Sequence, residues 1–162
     1  MQKLIQELKN RLKLAKAIAF LGVGSELRGD DAAGIMIAER LEKVCRKNEK
    51  FKVFIGHTAP ENLTGEIKRF KPTHLVIIDS ADLGKNAGEV CIIDIDNLQG
   101  VSFCTHQLPI KVMVDYLWQS IKCQIIIIGI QPKQLKFASR PSVETGKAVR
   151  KLTLAFKEIV HV

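Results

Sequence analysis

Residues 18 to 34, IAFLGVGSELRGDDAAG, carry an apolar run into two closely spaced glycines and then into a pair of carboxylates. A short apolar run bounded by glycine reads as a buried strand, and the apolar spacing that follows it reads as a helix. A strand that turns through glycines into a helix commits this part of the chain to an α/β arrangement. The turn is not a nucleotide cradle. The third fingerprint glycine would fall at position 27, which is Leu27, and no Gly-Lys-Ser/Thr follows for a phosphate loop. Asp30 and Asp31 also stand where a phosphate would sit, and two carboxylates there repel it. The corner suits something cationic, or acid-base chemistry.

The remaining pattern extends the same architecture. Leu4, Ile5, Leu8 and Leu12 fall on one face of an amphipathic helix over 2–15. Strand one covers about 17–23, and a helix starting near Asp31 runs through Ile35, Ala38 and Leu41 to Cys45. KVFIG (52–56) makes a second strand. Pro60 opens a short helix that turns Leu63, Ile67 and Phe70 inward. HLVII forms a third strand that delivers Asp79 at its carboxyl end, where open α/β sheets hold their ligands. VCIIDI alternates like an antiparallel edge strand, joined to the third strand as a hairpin. Pro109 marks a helix carrying Ile110, Met113, Leu117 and Ile121. QIIIIGI is expected to be the most buried strand, and Ser142 to cap a last helix that turns Val149, Leu152, Phe156 and Ile159 inward. The expected fold is three-layer α/β: a mainly parallel sheet of about five strands, one of them an antiparallel edge strand, with helices on both faces. The whole of 1–162 reads as a single domain, 1–16 being an amphipathic N-terminal helix and 17–160 the core.

Composition narrows the function classes. The net charge of +8 invites a nucleic-acid reading, but half of that excess lies in residues 1–16, where Lys3, Lys9, Arg11, Lys13 and Lys16 face Glu7 alone. The rest lacks the aromatic interleaving that stacks bases, which argues against nucleic acid. No apolar stretch reaches the 18 or more residues of a membrane span, so no membrane insertion is expected. Cys45, Cys91, Cys104 and Cys123 show no CxxC spacing and read as reduced thiols in a cytoplasmic protein. No nucleophile elbow surrounds Ser80 or Ser102.

Three residues then stand out: Asp31 after strand one, Asp79 ending strand three, and His106 in the loop before a helix. Two carboxylates and an imidazole converging on one crevice suit an open divalent-metal site or acid-base chemistry on a water. Each also has a plainer reading. Asp31 fits helix capping, Asp79 fits backbone amides at a strand end, and His106 fits a hydrogen-bonded loop histidine.

GVGSELRGDDAAG, HTAPEN, THLVIIDSADLGKNAGEV, THQLPI with the following MVDYL, and IIIIGIQP together resemble, in order and spacing, the nickel-iron hydrogenase maturation endopeptidases. Within that family the hydrogenase 3 branch is nearest. The resemblance covers about residues 17–155, leaving the first helix without a role. It departs at Ser25, where members commonly carry Asn, and at Glu26. It implies a five-stranded sheet with helices on both faces. The implied activity is removal of a C-terminal peptide from the nickel-loaded precursor of a hydrogenase large subunit. The resemblance further implies that Asp31, Asp79 and His106 are both the catalytic and the metal-coordinating residues of an aspartic-type peptidase. Nickel is then supplied by the substrate, and no tightly bound metal of the protein's own is expected. Either a carboxylate activates the attacking water or the substrate's nickel polarises the scissile carbonyl. The alternative is a non-catalytic, nickel-sensing chaperone of the same precursor.

Overall fold

Strands β1 (Ile18–Val23) and β3 (His74–Asp82) lie side by side in the middle of the sheet, and every residue of both except Asp82 is buried. The structure, a computed structural model, describes residues 1–95, 102–103 and 110–160. The other strands are β2 (Phe51–His57), β4 (Val90–Ile93), β5 (Ser102–Phe103) and β6 (Gln124–Ile130). Their order is β2-β1-β3-β6-β4, with β5 paired to β3 off this path. The β1–β2, β1–β3 and β3–β6 pairs are parallel, and β4 runs antiparallel on β6 at the edge. The fold is therefore three-layer α/β around a mixed sheet.

Helices α1 (Gln2–Leu12), α2 (Ala33–Cys45) and α5 (Val143–Val160) cover one face; α3 (Thr64–Phe70) and α4 (Ile110–Ile121) cover the other. Strand alternation decides which side each apolar residue serves. Ile18 and Phe20 join Leu8, Leu41 and Phe156, whereas Ala19 and Leu21 join Ile67 and Leu117. Phe20 meets Phe156 edge-on, with ring centroids 5.1 Å apart. Burying each such side chain contributes about 1.5–3 kcal/mol. Packing of this kind, not propensity, holds α3, because seven residues are too few for an isolated helix.

Several expectations needed correction. The first helix stops at Leu12, short of residue 15. Asp31 lies in a 3₁₀ turn, Gly29–Ala32, and α2 begins only after it. β3 continues to Asp82, so Asp79 lies inside the strand and not at its end. β4 pairs with β6 and makes no hairpin with β3, whose two edges are taken by β1 and β6 from His74 to Ile78. The exposed Gln124 and half-buried Ile125 make β6 less buried than β1. Ser102 and Phe103, expected to be irregular, pair with Asp82 and Ala81.

Candidate active site

The chain leaves β1 through α2 to reach β2 on one side, then returns through α3 to β3 on the other side. The sheet therefore reverses its order between β1 and β3, and the crevice beyond the carboxyl ends of these two strands is where such folds bind ligands. Asp31 and Asp79 flank that point. Gly22 is level with Ile78 in the β1–β3 register, so Asp79 lies just beyond the last paired position of β1. By alternation Asp79 shares its face with Leu75, Ile77 and Ala81, the face that α3 and α4 cover. Asp31 enters from the turn ahead of α2, and this turn packs against β3.

Two glycines permit that approach. A Cβ on Gly34, in the first turn of α2, would collide with the carbonyl oxygens of Val23 and Ile78. Gly24 has φ +134°, and a Cβ there would collide with the Asp31 carbonyl oxygen and stand 3.7 Å from the Asp31 carboxyl carbon. The Asp31 carbonyl also accepts the Ser25 N–H at 3.3 Å.

Both Asp31 and Asp79 are fully buried. The Ser80 N–H donates to Asp79 Oδ1 at 2.7 Å, which orients the carboxylate. Asp30, also fully buried, is engaged elsewhere. Its Oδ2 accepts the Lys133 N–H at 2.7 Å, the Gln134 N–H at 3.1 Å and the Ser142 hydroxyl at 2.9 Å, while its Oδ1 accepts the Ser142 N–H. Ser142 in turn accepts the Thr145 N–H at 3.2 Å and so caps α5. Of the two adjacent acids, then, Asp30 fastens the loop leading into α5, and Asp31 lies buried in the turn after β1.

His106 lies outside the described residues. Among the described residues no group of three or more His, Cys, Asp or Glu side chains is arranged to hold a metal ion. Two carboxylates of the inferred set are suited to a hard or borderline divalent ion, and they would need the imidazole and further donors to complete its shell.

Two features of the rim stand outside the expected site: His57, which from its place before a helix could line the same cleft but is not among the expected site residues, and Gln131, which is not singled out. His57, in a left-handed conformation at the end of β2 (φ 46°), accepts the Gly24 N–H through its carbonyl and holds Nδ1 3.5 Å from Glu26 Oε2. Gln131, just past β6, accepts the Leu83 and Lys85 N–H groups at 2.7 and 3.2 Å and donates to Asp82 Oδ1 at 3.2 Å. A polar residue directly after an apolar strand was the available signal for Gln131; for His57 the signal was its place before a helix, at the same cleft. Cys45, Cys91 and Cys123 are free thiols, and burial pushes Cys45 and Cys123 up to about 11, away from nucleophilic use.

Comparison with known proteins converges on one group. The family model described as hydrogenase maturation protease matches residues 35–159. The chain is 40% identical to a Methanocaldococcus jannaschii relative over 136 residues, covering 80% of each. It is 37% identical to the hydrogenase 3 maturation protease of Escherichia coli over 118 residues, covering 72% of this chain and 74% of that one. The crystal structure of a nickel-iron hydrogenase maturation protease from Thermococcus kodakarensis superposes with a TM-score of 0.89 at 28% identity, covering 96% of this chain and 99% of that one. Among the described residues no helix is long and apolar enough to cross a membrane.

Proposed function

The chain belongs to the hydrogenase maturation protease family, and from that premise we propose that it removes a C-terminal peptide from the nickel-loaded precursor of a nickel-iron hydrogenase large subunit. The observation that carries the reading is the pair of fully buried carboxylates, Asp31 and Asp79, flanking the order reversal of the sheet in a chain of this family. The attacking group is a water. One carboxylate accepts its proton as general base, in the aspartic manner, and the fixed orientation of Asp79 by the Ser80 N–H suits it to a directed role. Asp31, Asp79 and His106 are the residues assigned to the chemistry and to recognition of the nickel centre. The nickel belongs to the substrate, and the protein's donors complete its surroundings on docking. The working compartment is the cytoplasm, where the precursor is assembled.

The test is direct. Nickel-loaded precursor is incubated with the protein and the product is weighed by mass spectrometry. Loss of one short C-terminal peptide supports the peptidase, and a stable complex with an uncut precursor identifies a chaperone.

A further inference from the structure

The turn that buries Asp31 also exposes Leu27, four residues earlier, at 59% of its surface. Beside it runs the loop from Pro132 to Ser142, which exposes Phe137 at 75%. The two segments are fastened along their length. Leu27 accepts the Ala138 N–H through its carbonyl at 2.8 Å, and Arg28 and Ser139 form a parallel bridge. Asp30 then receives the Lys133, Gln134 and Ser142 backbone donors. Ala138 is held at φ 56°, a left-handed conformation unfavourable for any residue with a Cβ, and such strain persists only where surrounding contacts over-determine it. The loop is therefore rigid, yet its largest apolar side chain is turned to solvent. A rigid edge presenting large exposed apolar groups beside a crevice loses little freedom on association, which is the property of a preorganised recognition surface.

The charges around this edge indicate the partner's chemistry. Lys133 is paired with Glu144 at 2.7 Å, and Glu26 faces His57. Arg28, Lys136 and Arg140 make no ion pair among the described residues. The edge is thus apolar at Leu27 and Phe137 and carries an excess of cations, Arg28, Lys136 and Arg140 against Glu26, whose His57 partner is charged only when protonated, and it is continuous in the chain with Asp31.

We propose that residues 26–28 and 133–140 form one docking edge for the precursor polypeptide, taking an apolar side chain flanked by acidic residues. This rests on the reading of the protein as the precursor's peptidase. The experiment separates the two. Affinity for nickel-loaded precursor is measured by calorimetry, and kcat and KM by cleavage, for the wild type, Leu27→Ser with Phe137→Ser, and Lys136→Glu with Arg140→Glu. The apolar double variant should weaken Kd and raise KM about tenfold or more, as truncated anchor residues do, with kcat moving less than about twofold. The charge-reversed variant should weaken binding most at low salt. Unchanged Kd in the apolar variant, tighter binding after charge reversal, or no binding by the wild type overturns the docking edge. So does concentration-dependent self-association of the wild type that the apolar variant abolishes, since the occupant is then a second copy. A wild type that binds without cutting overturns the peptidase reading alone, and Kd still decides the docking edge.

Discussion

Asp30 and Ser142, 112 positions apart in the chain, are joined twice: the Ser142 N–H donates to Asp30 Oδ1 and its hydroxyl donates to Oδ2 at 2.9 Å. With the Lys133 and Gln134 amides on the same carboxylate, this contact is a structural fastening, so the adjacent acids should respond differently to loss of charge. Asp30→Asn turns an amide N–H₂ toward backbone donors, and each stranded buried group costs about 1–3 kcal/mol. We expect a stability loss of about 2–4 kcal/mol by this count of groups, read as an earlier urea midpoint. Asp31→Asn should instead abolish precursor processing in a protein whose circular dichroism is unchanged. Equal loss of processing in both variants, with Asp30→Asn undiminished in stability, would show the acids acting as a chemical pair.

The close approach of α2 to the sheet makes Gly34 intolerant of a single methyl group. Its Cβ would strike two backbone carbonyls, Val23 and Ile78, and neither can rotate aside as a side chain can. Gly34→Ala should cost about 3 kcal/mol or more, the upper range for overpacking. Gly146, inside α5, has nothing within 4 Å of an added Cβ. There the same change removes only the entropic penalty of glycine in a helix, and should stabilise by about 0.5–1 kcal/mol. Thermal denaturation of the two variants should move in opposite directions; parallel shifts would contradict the packing argument.

These two positions also mark how far the sequence is readable. Apolar periodicity is a local signal, and it located each principal strand and helix to within a few residues, because the residues that bury also set the spacing. Which strand β4 would pair with depended on whether β3 had a free edge, and no local pattern carries that information. Asp30 and Asp31 are chemically identical neighbours. Position after strand one singled out Asp31 and the family resemblance gave it a role, whereas the part played by Asp30 shows only where a loop more than 100 residues away closes on it. Gln131 was missed for a similar reason: its use, holding the 83–85 turn, appears only when β6 and β3 lie together.

His74 gives the fold a pH dependence with a definite sign. It opens β3 with only 6% of its surface exposed, and burial lowers its pKa below the ordinary 6.5, against smaller opposing contributions from hydrogen bonding near Gln124 and Arg11. Above 6.5 the imidazole is neutral in both states and its ionisation adds nothing. As pH falls through 6.5 the unfolded chain takes up a proton that the native state still refuses, so stability falls until the lower native pKa is passed. Guanidinium unfolding of the wild type between pH 7.5 and pH 5 (conditions chosen to span about one unit or more on each side of the ordinary value) should show that decline. His74→Gln should flatten part of it, and an identical pH slope in the two proteins would remove His74 from the account.

The source of the activity can be tested through the metal. Two carboxylates and one neutral imidazole supply only three protein donors, and a site so open binds a divalent ion weakly unless a partner completes the shell. On the proposed reading those donors belong to the precursor's own nickel centre. The purified protein should therefore carry little metal by elemental analysis, and it should cut nickel-loaded precursor while leaving the nickel-free form intact. Nickel added freely to an empty precursor should not fully restore cleavage. His106→Ala removes one of the assigned donors, so it should raise the requirement for loaded precursor or abolish cutting, with circular dichroism unchanged. Thiol reagents should leave Cys45 and Cys123 unlabelled near neutral pH, since burial holds both at about 11. Cleavage of nickel-free precursor at full rate, or a stoichiometric tightly bound zinc whose removal ends activity, would mean that the protein carries its own catalytic metal or needs none, and the assignment of nickel to the substrate would fail.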